Sequence, residues 1–315
     1  MTREIPVPTS ISPEAQAVLA MGIVGPPPIL IPLDDVAAWK AEIAAREQFV
    51  KDMTHDPGKR DGVEVVEATV AGVHVYKIRP LTVDPADRRT VLEFHGGGFV
   101  QDSGEIACDR AIDVAKNLQA ALWCVDYRMP PDHPFPAAID DGVAGYRALL
   151  EERSPHEVIV QGASAGANIG AAVILRARDE GLPLPAAAAL HSGVYDLTEA
   201  GDSFAANLGA DTILTGSLMQ CSLLYAGGTD LRHPYLSPLF ADLTKGFPPT
   251  WINSGTRDLL LSDNVRFHRA LRAAGLPAEL NVWEAAGHAM FLGMAPEDAV
   301  RAADMKRFCD EHWSN

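Results

Sequence analysis

Ser164 sits in the pentad Gly162-Ala163-Ser164-Ala165-Gly166, between the apolar run Val158–Val160 and an alanine-rich segment. This is a G-x-S-x-G pattern in a strand–turn–helix setting. Small flanking residues allow a strained turn that lifts a hydroxyl above a sheet edge. The helix that follows would present free N–H groups and the positive end of its dipole beside that hydroxyl. A serine hydroxyl attacks a carbonyl only when a base takes its proton. Of the ten histidines, His288 is placed best, in a loop after the last strand-like run and before the closing helix. His95 belongs to a glycine turn, His133 sits in the proline-rich PPDHPFP, and His312 is near the chain end.

An imidazole base needs an acid to hold its tautomer and stabilise the imidazolium. Asp258 lies just beyond the penultimate strand-like run. Asp263, five residues on, reads as the N-cap of the following helix. Acyl transfer also needs donors for an oxyanion, and backbone amides serve without reorganising. His95-Gly96-Gly97-Gly98 ends the strand-like run Thr90–His95. Gly97 and Gly98 are therefore the expected donors, with Ala165 as a third. Side chains at Gly97 and Gly98 would obstruct the approaching carbonyl oxygen. Phe99 is a candidate pocket wall, with inward packing as the alternative, and His95 an anchor for the loop.

The elements that must hold these residues are legible as alternation. Glu64–Thr69 and Val73–Arg79 form a hairpin around Ala71-Gly72. Strands are expected at Thr90–His95, Ala121–Asp126, Glu157–Gly162, Ala186–His191, Thr250–Ser254 and Glu279–Trp283. Helices are expected at Ile106–Leu118, Ile139–Glu151, Ala165–Ala177, Asp263–Ala274 and Pro296–His312. Such β-α-β repetition predicts an α/β fold, a mostly parallel sheet with helices on both faces. Residues 33–50 have helical spacing, with Val36, Trp39, Ile43 and Phe49 among the apolar positions and Asp34-Asp35 as cap. From Asp196 to Ala226 there is no strand but a helical stretch, LTGSLMQCSLLY. An insertion of that size suits a lid or binding element. Glu93 interrupts an apolar strand, and nothing in the sequence accounts for it.

The 315 residues carry a formal net charge of −16, with 26 Lys and Arg against 42 Asp and Glu. That balance argues against nucleic acid and anionic membranes as partners. Four cysteines without paired spacing argue against a disulfide framework or a zinc site. Cys124, inside an apolar run, reads as a buried inert thiol. The first twenty residues lack a signal-peptide pattern and no apolar run is long enough to span a bilayer, so a cytoplasmic location is expected.

Together, HGGGF at 95–99, VDYRMPPDHPFPAAIDD at 125–141, GASAG at 162–166, HPYLSPLFADLTKGFPP at 233–249 and the Asp258–His288 pair resemble the hormone-sensitive-lipase-like esterases. The chain order Ser164, Asp258, His288 is that of α/β-hydrolases. The resemblance covers roughly residues 60 to 315 and implies an α/β-hydrolase fold. It also implies hydrolysis of short- to medium-chain carboxylic esters, without metal or organic cofactor. The expected organisation is a single domain over 1–315, capped by about 1–50 plus an insertion at about 197–225. The expected partner is a small-molecule ester, and the resemblance implies a homodimer. Lactones or amides are alternative substrates for the same machinery. Some relatives are receptors that no longer hydrolyse; those would have lost a triad residue, and this chain keeps all three. Two departures stand out: Ala163 where the family often has an acid, and Leu259 where proline commonly follows the triad aspartate.

Overall fold

The computed structural model describes residues 5–54, 56 and 58–313. Eight strands form one sheet in the order β1-β2-β4-β3-β5-β6-β7-β8. They are β1 (Val63–Val70), β2 (Val73–Pro80), β3 (Thr90–Phe94), β4 (Ala121–Val125), β5 (Val158–Ala163), β6 (Ala187–His191), β7 (Thr250–Gly255) and β8 (Ala278–Trp283). Each matches its expected run to within one residue at either end. β1 and β2 pair antiparallel, β2 runs antiparallel to β4, and every other pairing is parallel. The hairpin turns at Ala71 and Gly72, both with positive φ (50° and 83°), which matches the twist of its strands.

All five residues of β3 and of β6 are buried, as parallel strands covered on both faces must be. The main helices are α3 (Glu105–Leu118), α4 (Ala137–Glu152), α5 (Ala165–Asp179), α8 (Leu261–Ala273) and α9 (Pro296–His312). α4, α5 and α8 pack on one face around Phe94, Val160, Leu190 and Ile252. α3 and α9 cover the other around Val91, Leu122, Ile159 and Trp251. Glu93 points to this second face, between its register partners Cys124 and Gln161. Burial pushes its carboxyl up to about 8, and its Oε2 has no partner. A neutral acid is the form that such a site tolerates at neutral pH.

The chain ahead of the sheet differs more from expectation. α1 (Pro13–Ala20) was not anticipated, although its signals are present: Ser12 caps it by accepting from the Ala15 amide, and Pro13 opens it. Its buried face packs on Ala285, Ala286, Met290 and Phe291, the loop around His288. Ser12 also bonds Glu297 at the start of α9. The first four residues of the expected cap segment lie outside the described residues. α2 (Val36–Thr54) forms as expected, capped by Asp35. Of its apolar positions, however, Trp39 is fully buried while Val36 and Phe49 are exposed.

In the insertion, a short α6 (Ser203–Ala206) precedes α7 (Met219–Ala226). α7 begins later than the apolar pattern suggested, and ahead of it Gly216 lies so close to Pro28 of the proline-rich segment that a Cβ there would be 2.7 Å from the proline ring. Trp39 of α2 packs with Cys221 and Leu224 of α7, joining the two segments. Among the described residues, no helix is long and apolar enough to cross a membrane.

Candidate active site

Ser164 occupies the turn between β5 and α5 with φ 58° and ψ −121°, a region that costs a non-glycine residue about 1–3 kcal/mol. Its amide donates to the His191 carbonyl at 2.8 Å, which fixes the turn. The flanking glycines are required by close backbone approach. A Cβ on Gly162 would lie 2.3 Å from the Gly166 carbonyl oxygen, and one on Gly166 would lie 1.9 Å from that of Phe94. The helix start is thus pressed onto the end of β3, where the glycine loop begins. Ala163 is exposed beside Ser164, with no acid in its place.

That loop reaches the serine through Gly96. A Cβ on Gly96 would be 3.5 Å from the Ser164 Cβ. Among the described residues, the Gly97 and Gly98 amides donate to no other protein group, and Ala165 is the first residue of α5, ahead of the intrahelical ladder. Gly97 and Gly98 have φ of 99° and 60°. The steric reason differs from the expected one at Gly97, whose Cβ would strike the Gln101 carbonyl oxygen of its own loop at 2.0 Å. Only Gly98 faces open space.

His95 has an anchoring geometry. Its ring stacks on Tyr127 at 4.1 Å, its Nδ1 lies 2.9 Å from the Gly96 carbonyl oxygen, and the Tyr127 hydroxyl donates to the His95 carbonyl. Burial holds its pKa below the ordinary value, so the ring is neutral. Phe99, expected as a pocket wall, packs inward, 1% exposed and stacked at 4.4 Å on Tyr225 of α7. The 125–141 motif is tied together by Arg128, whose Nε, Nη2 and main-chain amide all donate to the Asp141 carboxylate.

The expected acid and base meet. His288 Nδ1 lies 3.3 Å from Asp258 Oδ1. Asp258 is fully buried and also accepts from the Ser254 hydroxyl at 2.7 Å and the Leu260 amide at 2.9 Å. Burial alone would raise its pKa, but the imidazole and these donors outweigh burial and hold it below the usual carboxylate value. Burial pulls His288 down, and the Asp258 hydrogen bond and charge outweigh it, so the imidazole pKa is raised. Among the described residues, no hydrogen bond joins Ser164 Oγ to the imidazole; such bonds often tighten only with substrate.

Asp263 is not the N-cap of α8. It lies inside the first turn, and its Oδ2 accepts from the Tyr195 and Asp196 amides, tying the insertion's start to α8. Sequence reasoning missed Asp211, a buried carboxylate that accepts from the main-chain amide of His288. No spacing rule links position 211 to position 288. The four cysteines are buried and unpaired. Among the described residues, no cluster of three or more His, Cys, Asp or Glu side chains forms a candidate metal site.

A strained serine between strand and helix, a glycine loop with free amides and a buried Asp–His pair on a mostly parallel sheet define an α/β hydrolase. The model of the alpha/beta hydrolase fold family matches residues 91–292. An acetyl-hydrolase of Streptomyces hygroscopicus is 38% identical over 199 residues, 62% of this chain and 66% of that one. An esterase of Acinetobacter venetianus is 30% identical over 253 residues, 78% of this chain and 82% of that one. Among solved structures, an esterase crystal structure superposes with TM-score 0.89 at 34% identity, covering 100% of this chain and 98% of that one. An esterase of the bacterial hormone-sensitive lipase family superposes with TM-score 0.83 at 29% identity, over 97% and 100%. The chain belongs to the α/β-hydrolase fold family and, within it, to the hormone-sensitive-lipase-like esterases, which are carboxylic ester hydrolases.

Proposed function

We propose that this protein hydrolyses carboxylic esters through Ser164, His288 and Asp258. Ser164 Oγ attacks the ester carbonyl as its proton passes to His288 Nε2, while Asp258 holds the Nδ1 proton. The oxyanion is met by the amides of Gly97, Gly98 and Ala165. Collapse breaks the bond to the alcohol oxygen, which takes the proton from His288, and an acyl-enzyme remains. Water then gives a proton to His288, attacks the acyl carbon and releases the acid as Ser164 is reprotonated. Ser164 at φ 58°, against the Gly96 end of a glycine loop whose next two amides are free, is the observation that supports this reading most strongly.

The substrates we propose are short- to medium-chain esters; the acetyl-hydrolase name of one relative favours the short end. The paired segments holding α2 and α7 serve as the cap over the acyl or alcohol group. The test is a panel of linear esters of graded acyl length, lactones and amides, run on the wild type and on Ser164→Ala. Linear esters are expected to lead, with rates falling at long chains, and Ser164→Ala should lose about ten-thousand-fold or more in kcat. Ester hydrolysis that persists in Ser164→Ala would contradict the assignment, and a preference for lactones would redirect it.

A further inference from the structure

Asp211 lies in the insertion, remote in sequence from the three residues assigned to the chemistry, and is 1% exposed. All of its hydrogen-bond partners are main-chain amides. Oδ1 accepts from Ile213 at 2.9 Å and Leu214 at 3.1 Å, and Oδ2 from Leu259 at 3.0 Å and His288 at 3.1 Å. Four donors and no acceptor fit an ionised carboxylate. One oxygen therefore bridges the residue after the acid and the base itself. Leu259 has an N–H to give; a proline there would have none.

The surroundings are shaped to this carboxylate. A Cβ on Gly287 would lie 2.9 Å from Asp211 Oδ1 and 3.3 Å from the Thr212 amide, so the base loop rests on the Asp211 turn only because position 287 is glycine. The same turn is docked to the proline-rich segment: the Thr212 carbonyl accepts from the Val24 and Gly25 amides at 2.9 and 3.0 Å. A Cβ on Gly25 would lie 1.9 Å from the Ile213 carbonyl oxygen.

We infer that Asp211 is a positioning residue of the reaction: it fixes the acid turn and the base loop against each other and adds a second negative charge near the imidazolium. The inference rests on His288 being the base. The charged groups acting on the imidazole are Asp258 and Asp211, and both raise its pKa. Those acting on Asp211 are Asp258 and His288; burial and the Asp258 charge raise its pKa above the ordinary carboxylate value, and His288 and the amide donors offset only part of that.

Asp211→Asn keeps the shape and removes the charge. Whichever way its amide turns, an NH2 faces amide donors, so one pair of bonds is lost. The experiment is the pH profile of ester hydrolysis for the wild type and Asp211→Asn. The expected result is a kcat at least about tenfold lower with KM nearly unchanged, and an ascending limb of kcat/KM moved to lower pH by roughly half a unit or more. Loosening without an electrostatic role would lower kcat and leave the limb in place. A limb that coincides with the wild type's overturns the inference. Should Asp211→Asn fail to fold, Asp211→Ser, which also removes the charge, is read the same way; an unmoved limb there overturns it equally. A wild type without any ascending limb would instead overturn His288 as the base, a separate failure visible before any Asp211 variant is made.

Discussion

Close backbone contact packs both halves of the site, since a Cβ on Gly255 would lie 2.0 Å from the Ala286 carbonyl oxygen, but only the Asp258–His288 half adds a hydrogen-bond clamp on its side chains. Ser164 is fixed by contact: Gly162 and Gly166 let backbone meet backbone where a Cβ would lie 2.3 and 1.9 Å from a carbonyl oxygen. Asp258 and His288 are fixed by hydrogen bonds, from Ser254, Leu260 and the Asp211 bridge. A steric clamp leaves no room to adjust without moving the helix or the strand end. A polar clamp keeps its shape when one atom is replaced, yet its electrostatics change at once. The first half should therefore lose stability and activity together, and the second should lose activity first.

Asp258→Asn is the largest test of that contrast. It preserves volume but removes the charge that holds the imidazole, so kcat should drop about ten-thousand-fold. The melting temperature should stay near that of the wild type, and a parallel collapse of the two would erase the contrast. Gly166→Ala tests the other half. Its Cβ can be relieved only by backbone movement, which should cost about 1–3 kcal/mol of unfolding free energy in a denaturant titration. The shifted elbow should lower kcat at the same time. Full activity in a destabilised Gly166→Ala would show that the steric clamp serves folding alone.

Ser254→Ala should be milder. It removes one hydroxyl donor from the buried Asp258 carboxylate, an interaction worth roughly 1.5–3 kcal/mol for a charged acceptor, of which only part reaches the rate. A fall in kcat of about tenfold is expected, measured under saturating ester. An unchanged kcat would mean that Leu260 and His288 suffice to hold the acid. The smallest effect is the position of the wild-type pH limb. Because Asp258 and Asp211 raise the imidazole pKa, and the base works only when neutral, kcat/KM should rise with pH through a midpoint above about 6.5. A midpoint below that value would mean that burial, not the two carboxylates, dominates at His288.

The same contrast explains what could be read in the sequence. Steric requirements appear as residue types at short spacing, so Gly162, Ser164, Gly166 and the glycine loop were legible, as were the buried parallel strands around them. The Asp258–His288 pair was found because each follows a recognisable strand. Asp211 was not, since its role lies in contacts to backbone amides of residues that any side chain can supply. α2 shows the limit of periodicity: its apolar residues recur at helical spacing, yet Trp39 alone is fully buried. The helix packs through that residue onto Cys221 and Leu224 and leaves Phe49 outside. At Asp263, an acid before a helix read as a cap, whereas Tyr195 and Asp196 compete for it from the insertion.

Ser164 and the Asp258–His288 pair work as one site only if His288 activates Ser164. The most direct measurement is the rate at which a fluorophosphonate modifies the protein, followed by intact mass and peptide mapping across pH in the wild type and His288→Ala. One adduct is expected, on Ser164, formed faster as pH rises through a midpoint above about 6.5, and formed slowly without that rise in His288→Ala. An adduct on another residue, or a Ser164 adduct formed equally fast without His288, would contradict it.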